Sequence, residues 1–164
     1  MENFNLKTEQ LNPIDLYVYS YMYRGLDSFS GIISIHFLEK ETELSANTLK
    51  DSIKRLENAG YLSLTKSKKE ITYNLLKEIF FPPLILLKAK GLSIRERAYL
   101  ICISQFMTGP LLMTSADLAD KLNITTKTLR TYEKGLIDKG ILTIKTVQKD
   151  KATLVKCQYR ELHT

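Results

Sequence analysis

Cysteine and histidine are scarce in this chain, two of each in 164 residues: Cys102, Cys157, His36 and His163. The cysteines lie far apart and form no metal-ligand spacing. Cys102 sits within the apolar run AYLICISQF, so both read as reduced, structural thiols. The histidines are solitary and carry no catalytic inference. Nor is there a phosphate-cradling glycine loop, a metal-ligand cluster, or a nucleophile with a nearby base. No enzyme is expected, and neither a metal nor a cofactor. Long apolar runs are missing too: the longest, FFPPLILL, is broken by two prolines and is too short to cross a bilayer. The first residues, MENFNLKTEQLN, lack the basic-then-apolar order of a secretion signal. The expectation is a cytoplasmic protein with no membrane partner.

What remains is an ordinary globular composition, 44% hydrophobic and 26% charged, able to bury a core. The length suits one medium domain or two of about 80 residues. The net charge of +6 is unevenly spread: residues 1–82 hold ten Lys/Arg against eleven Asp/Glu, residues 83–164 fourteen against seven. A basic second half points to a polyanion, either nucleic acid or an acidic membrane surface.

The strongest signal is a repeat. TLKDSIKRLENAGYL at 48–62 returns as TLRTYEKGLIDKGIL at 128–142, an ungapped offset of 80. Thr48, Leu49, Leu56, Gly60 and Leu62 face Thr128, Leu129, Leu136, Gly140 and Leu142. Lys50 faces Arg130, Lys54 faces Lys134 and Ser45 faces Thr125. Upstream, Ser34 faces Thr114 and Leu38 faces Leu118.

The matched residues have matching local roles. Ser34 and Thr114 cap a short helix, HFLEKET or ADLADKL, and Thr114 with Asp117 approximates a capping box. After a tight corner, Ser45 and Thr125 cap a second helix. There Leu49, Ile53 and Leu56 form an apolar face, so Asn47, Lys50, Asp51 and Lys54 point away from it. Gly60 and Gly140 stand at the left-handed residue that ends the helix. A β-hairpin with a basic tip follows: YLSLT, KSKKE and ITYNLL, then ILTIKTV, QKDKA and TLVKCQY. An earlier helix precedes each unit, opened by Asn12-Pro13 in the first and by the Ser93/Glu96 capping box in the second.

Three features fit this pattern less well. Tyr17, Tyr19, Tyr21 and Tyr23 alternate like a strand, but the cap before them and the spacing of Leu16, Tyr17, Tyr21 and Arg24 favour a helix. Glu133 replaces the core residue Ile53, and Tyr132 is expected to take over its packing. Gly135 interrupts a helix at a cost of about 1 kcal/mol relative to alanine, which implies a looser helix or a close approach.

Helix, short helix, helix and two-stranded wing, twice over, resemble the winged helix-turn-helix domain. The resemblance covers residues 11–77 and 92–160. Its most specific element is S-x-N-T-L-K…L-E-N-A-G-Y-L and its return T-x-K-T-L-R…L-I-D-K-G-I-L. The fold it implies is mainly α with small β wings (α+β), two tandem domains at 1–77 and 92–164. Segment 78–91, apolar and stiffened by two prolines, is expected to link them and pack between them. Its alternative use is self-association, so a homodimer through this linker or the first helix stays open.

The resemblance implies that the third helix of each unit enters the major groove of double-stranded DNA and that the wing touches the backbone or minor groove. Asn47, Lys50 and Lys54 would face DNA from the first unit, and Lys127, Arg130 and Lys134 from the second. Arg130 suits guanine O6 and N7, and Asn47 suits adenine. Ser45 and Thr125 would hold phosphates at the helix N-termini. Wing residues Lys66, Lys68, Lys69, Lys149 and Lys151 would supply salt-dependent, sequence-blind attraction. Residues 45–69 and 125–151 each carry a net of +4, which agrees with this. Solvation is the ordinary alternative role for each of these lysines.

The expected function is a sequence-specific DNA-binding transcription regulator, bacterial or phage-encoded and nucleoid-associated. A plasmid or phage replication initiator that binds origin repeats is the alternative. A protein-interaction module, like the tandem winged helices of chromosome-segregation complexes, is a further one.

Overall fold

The computed structural model describes residues 4–26, 29–67, 71–79, 91–106, 111–148 and 156–163. Asn12 opens the first helix, α1 (Pro13–Gly25): its Oδ1 accepts from the N–H groups of Ile14 and Asp15, while Asp15 reaches back to the Asn12 N–H at 2.9 Å. The tyrosine run is therefore helical. Tyr17 and Tyr19 are fully buried, and their neighbours Tyr21 and Tyr23 are half-buried.

A short strand β1 (Ser30–Gly31) leads into α2 (Ile35–Thr42), capped by Ser34, and then α3 (Ala46–Asn58), capped by Ser45. The hairpin β2 (Leu62–Lys66) and β3 (Ile71–Leu75) follows, with Leu62 opposite Leu75 and Lys66 opposite Ile71. The second series repeats this order: α4 (Ile94–Ser104), β4 (Leu111–Met113), α5 (Ser115–Lys121), α6 (Thr126–Asp138), β5 (Leu142–Gln148) and β6 (Lys156–Leu162). The fold is thus α+β, with six helices and two three-stranded antiparallel sheets, ordered β1-β3-β2 and β4-β6-β5, among the described residues. Neither third strand is among the sequence expectations, because two or three residues are too few to show an alternation.

The repeat extends to backbone detail. Glu43 and Asn123, eighty residues apart, both take left-handed φ values, 61° and 54°, at the corner between the paired helices. Gly60 (φ 72°) and Gly140 (φ 69°) end α3 and α6. In each, the glycine N–H bonds the carbonyl three residues back, and the next N–H bonds the carbonyl five back, Leu56 or Leu136, at 2.9 Å. This doubly bonded C-terminus satisfies carbonyls that a helix end leaves orphaned. Leu49, Leu56, Leu129 and Leu136 are fully buried, and cutting such a side chain to alanine costs about 2–5 kcal/mol.

One continuous core joins the two repeats. Helix α1 packs against α2 and α3 of its own repeat and against α4 of the other, so little apolar surface of α1 is left for a second chain. The segment before α1 also crosses to the second repeat. Leu6 and Leu11 are fully buried, the Leu6 N–H donates to the Lys121 carbonyl at 2.8 Å, and Asn123 Nδ2 donates to the Leu11 carbonyl at 2.9 Å. Phe4 meets Phe106 edge-on at 5.0 Å, and Lys7 pairs with Asp120. Of segment 78–91, residues 80–90 lie outside the described ones; Ile79 packs against the core.

Two sequence expectations change and a third is met in part. Tyr132, half-buried, packs against the core and meets the Tyr99 ring at 6.2 Å, but Glu133 also keeps the inward position on α6, 4% exposed. A carboxylate can stay inside because Arg160, fully buried, donates to it from Nε at 2.5 Å and the Tyr99 hydroxyl donates at 2.8 Å. Asp117 does not complete a capping box; it accepts from the Thr114 hydroxyl at 2.7 Å. The last strand continues to Leu162, beyond the expected end at Tyr159, because its partners are fixed by the register Leu142–Leu162 through Gln148–Lys156.

Candidate nucleic-acid interface

The outward faces of α3 and α6 carry the expected reading residues. On α3 the buried residues Leu49, Ser52, Ile53 and Leu56 fix the inner side, which leaves Asn47, Lys50 and Lys54 exposed. On α6 the inner side is Leu129, Glu133 and Leu136, and Lys127, Arg130 and Lys134 are exposed. Burial agrees position by position from Thr42 to Lys50 and from Leu122 to Arg130. Among the described residues, none of these five cations forms an ion pair.

Two other cations, one within α3 and one at the C-cap of α6, are used internally. Arg55 grips Asp15, with Nε 3.1 and 3.0 Å from its oxygens and Nη2 at 2.8 Å. That carboxylate raises the guanidinium pKa, against burial, which lowers it. Lys139 pairs with Glu96 at 2.7 Å. In both repeats an acid in the first turn of the leading helix thus anchors the third helix, α3 or α6, through a cation, but from different positions. The equivalent of Arg55 is Gly135, and a Cβ there would lie 2.0 Å from Glu96 Oε1. The glycine marks the close approach of a carboxylate. Arg55 therefore drops out of the +4 of residues 45–69, whereas in residues 125–151 Lys139 and Glu133 both pair inward and cancel, so the outward sum there is unchanged.

The two helix N-termini differ. Ser45 Oγ accepts from the Thr48 N–H at 3.3 Å and shares a proton with Thr48 Oγ1 at 3.0 Å; Thr125 does the same with Thr128 at 3.1 and 2.8 Å. At α3, however, Glu39 Oε1 accepts the Ala46 N–H at 3.0 Å. A carboxylate already occupying that end opposes a phosphate by like charge, so the geometry does not favour Ser45 as a phosphate holder. The position equivalent to Glu39 is Ala119, and Thr125 keeps an end without that carboxylate.

Lys66, at the end of β2, is exposed beside a groove between α3 and its hairpin, lined also by Lys50, Lys54, Leu64, Ile71 and Tyr73. Lys68, Lys69, Lys149 and Lys151 lie outside the described residues. Lys145, absent from the expected contacts, is exposed on β5 opposite Tyr159. The alternation in ILTIKTV could have flagged it as outward. Cys102 and Cys157 are free thiols, both buried, and burial pushes the Cys102 thiol up. Among the described residues no helix is long and apolar enough to cross a membrane, and no cluster of His, Cys, Asp and Glu could hold a metal ion. No protein-family model matches the sequence, and no curated protein matches it.

Proposed function

We propose that this chain is a sequence-specific double-stranded DNA-binding protein, a transcription regulator composed of two tandem winged helix-turn-helix domains. One observation carries the reading: α3 and α6 present outward cations at equivalent positions, Lys50 and Lys54, Arg130 and Lys134, without internal counter-charges among the described residues. The common core supports a bidentate mode. With α1 packed on α4 and the N-terminal segment tied to the second repeat, both helices are held in one relative placement. Such a chain covers two neighbouring half-sites as a dimer does, but with unlike halves, so the site need not be palindromic.

The test is selection of bound sites from random duplexes, with affinities measured across a salt series. Binding should weaken steeply with salt, roughly one counterion released for each phosphate neutralised. Arg130→Ala should relax preference at one base pair and cost about 1–3 kcal/mol, and Asn47→Ala should do so at another. Equal weakening on all duplexes would reduce Arg130 to a phosphate contact. A flat salt response would sink the DNA reading. Whether the selected sequence lies in promoters or in origin repeats then separates regulation from replication initiation.

A further inference from the structure

The two outward faces are not chemically alike. On α3 the residues diametrically opposite the buried Leu49, Ile53 and Leu56 are Asn47, Asp51, Lys54 and Asn58, all exposed. On α6 the corresponding line is Lys127, Thr131, Lys134 and Asp138. An acid, Asp51, thus stands in the centre of the first line, one turn from Asn47 and one from Lys54, where the second has a neutral threonine.

Asp51 adds a long-range attraction to Arg55, one turn on, but makes no direct contact with it: that guanidinium is turned inward and spends Nε and Nη2 on Asp15 at 2.8–3.1 Å. Among the described residues the Asp51 carboxylate has no ion-pair partner. Nor does it help a cationic surface approach a polyanion: duplex DNA carries about one negative charge per 1.7 Å of axis, and a carboxylate is repelled by each. It is tolerable in the groove only where a base edge offers a donor. In the major groove those donors are cytosine N4 and adenine N6, and the N7 acceptor beside adenine N6 repels a carboxylate.

We infer that Asp51 is a specificity-determining residue, accepting a hydrogen bond from a cytosine N4 amino group in the half-site read by α3. The inference rests on the DNA-binding reading above. Thr131 makes no such demand: its hydroxyl donates back to the Lys127 carbonyl at 3.0 Å, which leaves its methyl outward for apolar contact. The two half-sites therefore differ at this step by construction of the protein.

The experiment is selection from random duplexes with the full chain, the parent beside Asp51→Asn and Asp51→Ala, followed by affinities on the selected site and its single-base variants. Position 51 is exposed, so both variants should unfold like the parent on heating. The parent should demand a cytosine at one position of one half-site. Asp51→Asn should move that preference to adenine, which an amide contacts through N6 and N7, and Asp51→Ala should erase it, a loss of about ten- to a hundred-fold in discrimination. If both variants keep the parent's base preference and merely bind every duplex more tightly, Asp51 is only a repulsive surface charge and the inference is overturned. If the parent itself prefers no duplex, the inference falls together with the DNA reading.

Discussion

Replacing Glu133 by isoleucine examines how the second repeat departs from the first. Arg160 is fully buried and donates from Nε to Glu133 at 2.5 Å, from Nη1 to the Met113 carbonyl at 2.9 Å and from Nη2 to Ser115 Oγ at 3.0 Å. Removing the carboxylate strands a guanidinium that has no access to water, and breaking a buried pair in this way costs about 3–5 kcal/mol. The first repeat suggests the remedy. Arg160 faces Ile144 and Leu111 across its sheet as Tyr73 faces Leu64 and Gly31, and those partners are eighty residues apart. Ile53 and Tyr73 are therefore the apolar counterparts of Glu133 and Arg160. Adding Arg160→Tyr to Glu133→Ile installs that pair and removes both charges. An apolar replacement of a buried pair is often neutral or stabilising by about 1–4 kcal/mol, but the Met113 carbonyl loses its donor and the buried Tyr99 hydroxyl its acceptor, each costing about 1–3 kcal/mol. By urea unfolding the double variant should recover part of the single variant's loss, the share owed to the stranded guanidinium. A loss under about 1 kcal/mol for Glu133→Ile alone, or a further loss on adding Arg160→Tyr, would refute the reasoning.

Gly135→Ala should lower stability although alanine favours a helix by about 1 kcal/mol. The new methyl would meet Glu96 Oε1, an atom pinned by Lys139, and must push it off; a higher urea midpoint would contradict the close approach. The same carboxylate gives a pH dependence. Burial works to raise the Glu96 pKa, but hydrogen bonds from Lys139 and from the Ser93 N–H and hydroxyl outweigh it and hold the group below its ordinary value of 4.5. Its contribution is thus complete above that ordinary value and is lost as pH falls through the lower folded one. Lys139→Met should flatten this part of the acid limb, read as urea midpoints from about pH 6 to about pH 2. Parallel acid limbs for parent and variant would count against it.

Local signals were read well where local chemistry decides them. Asn12-Pro13, Ser34, Ser45, Ser93, Thr114 and Thr125 cap helices as their side chains require, and Gly60 and Gly140 take the left-handed turn. The outward rows on α3 and α6 followed directly from the apolar spacing. Gly135 within a helix implies either a looser helix or a close approach, and the close approach is the one observed. The role of Glu133 is not legible in the sequence because its partner is hidden from an ungapped comparison: seven extra residues in the second hairpin place Arg160, rather than a residue eighty beyond Tyr73, at the matching site.

By itself the sequence determined the repeat, its caps, its inner and outer helix faces and the excess of positive charge, because each depends on spacing within a few residues. Only the tertiary structure decided which charges remain available. Arg55 and Lys139 turn to acids of the leading helices, Glu39 closes one helix end, and Arg160 neutralises Glu133 from a strand distant in the chain. Ion pairs and core contacts form between side chains brought together by packing, and no periodicity along a single element encodes who the partner will be.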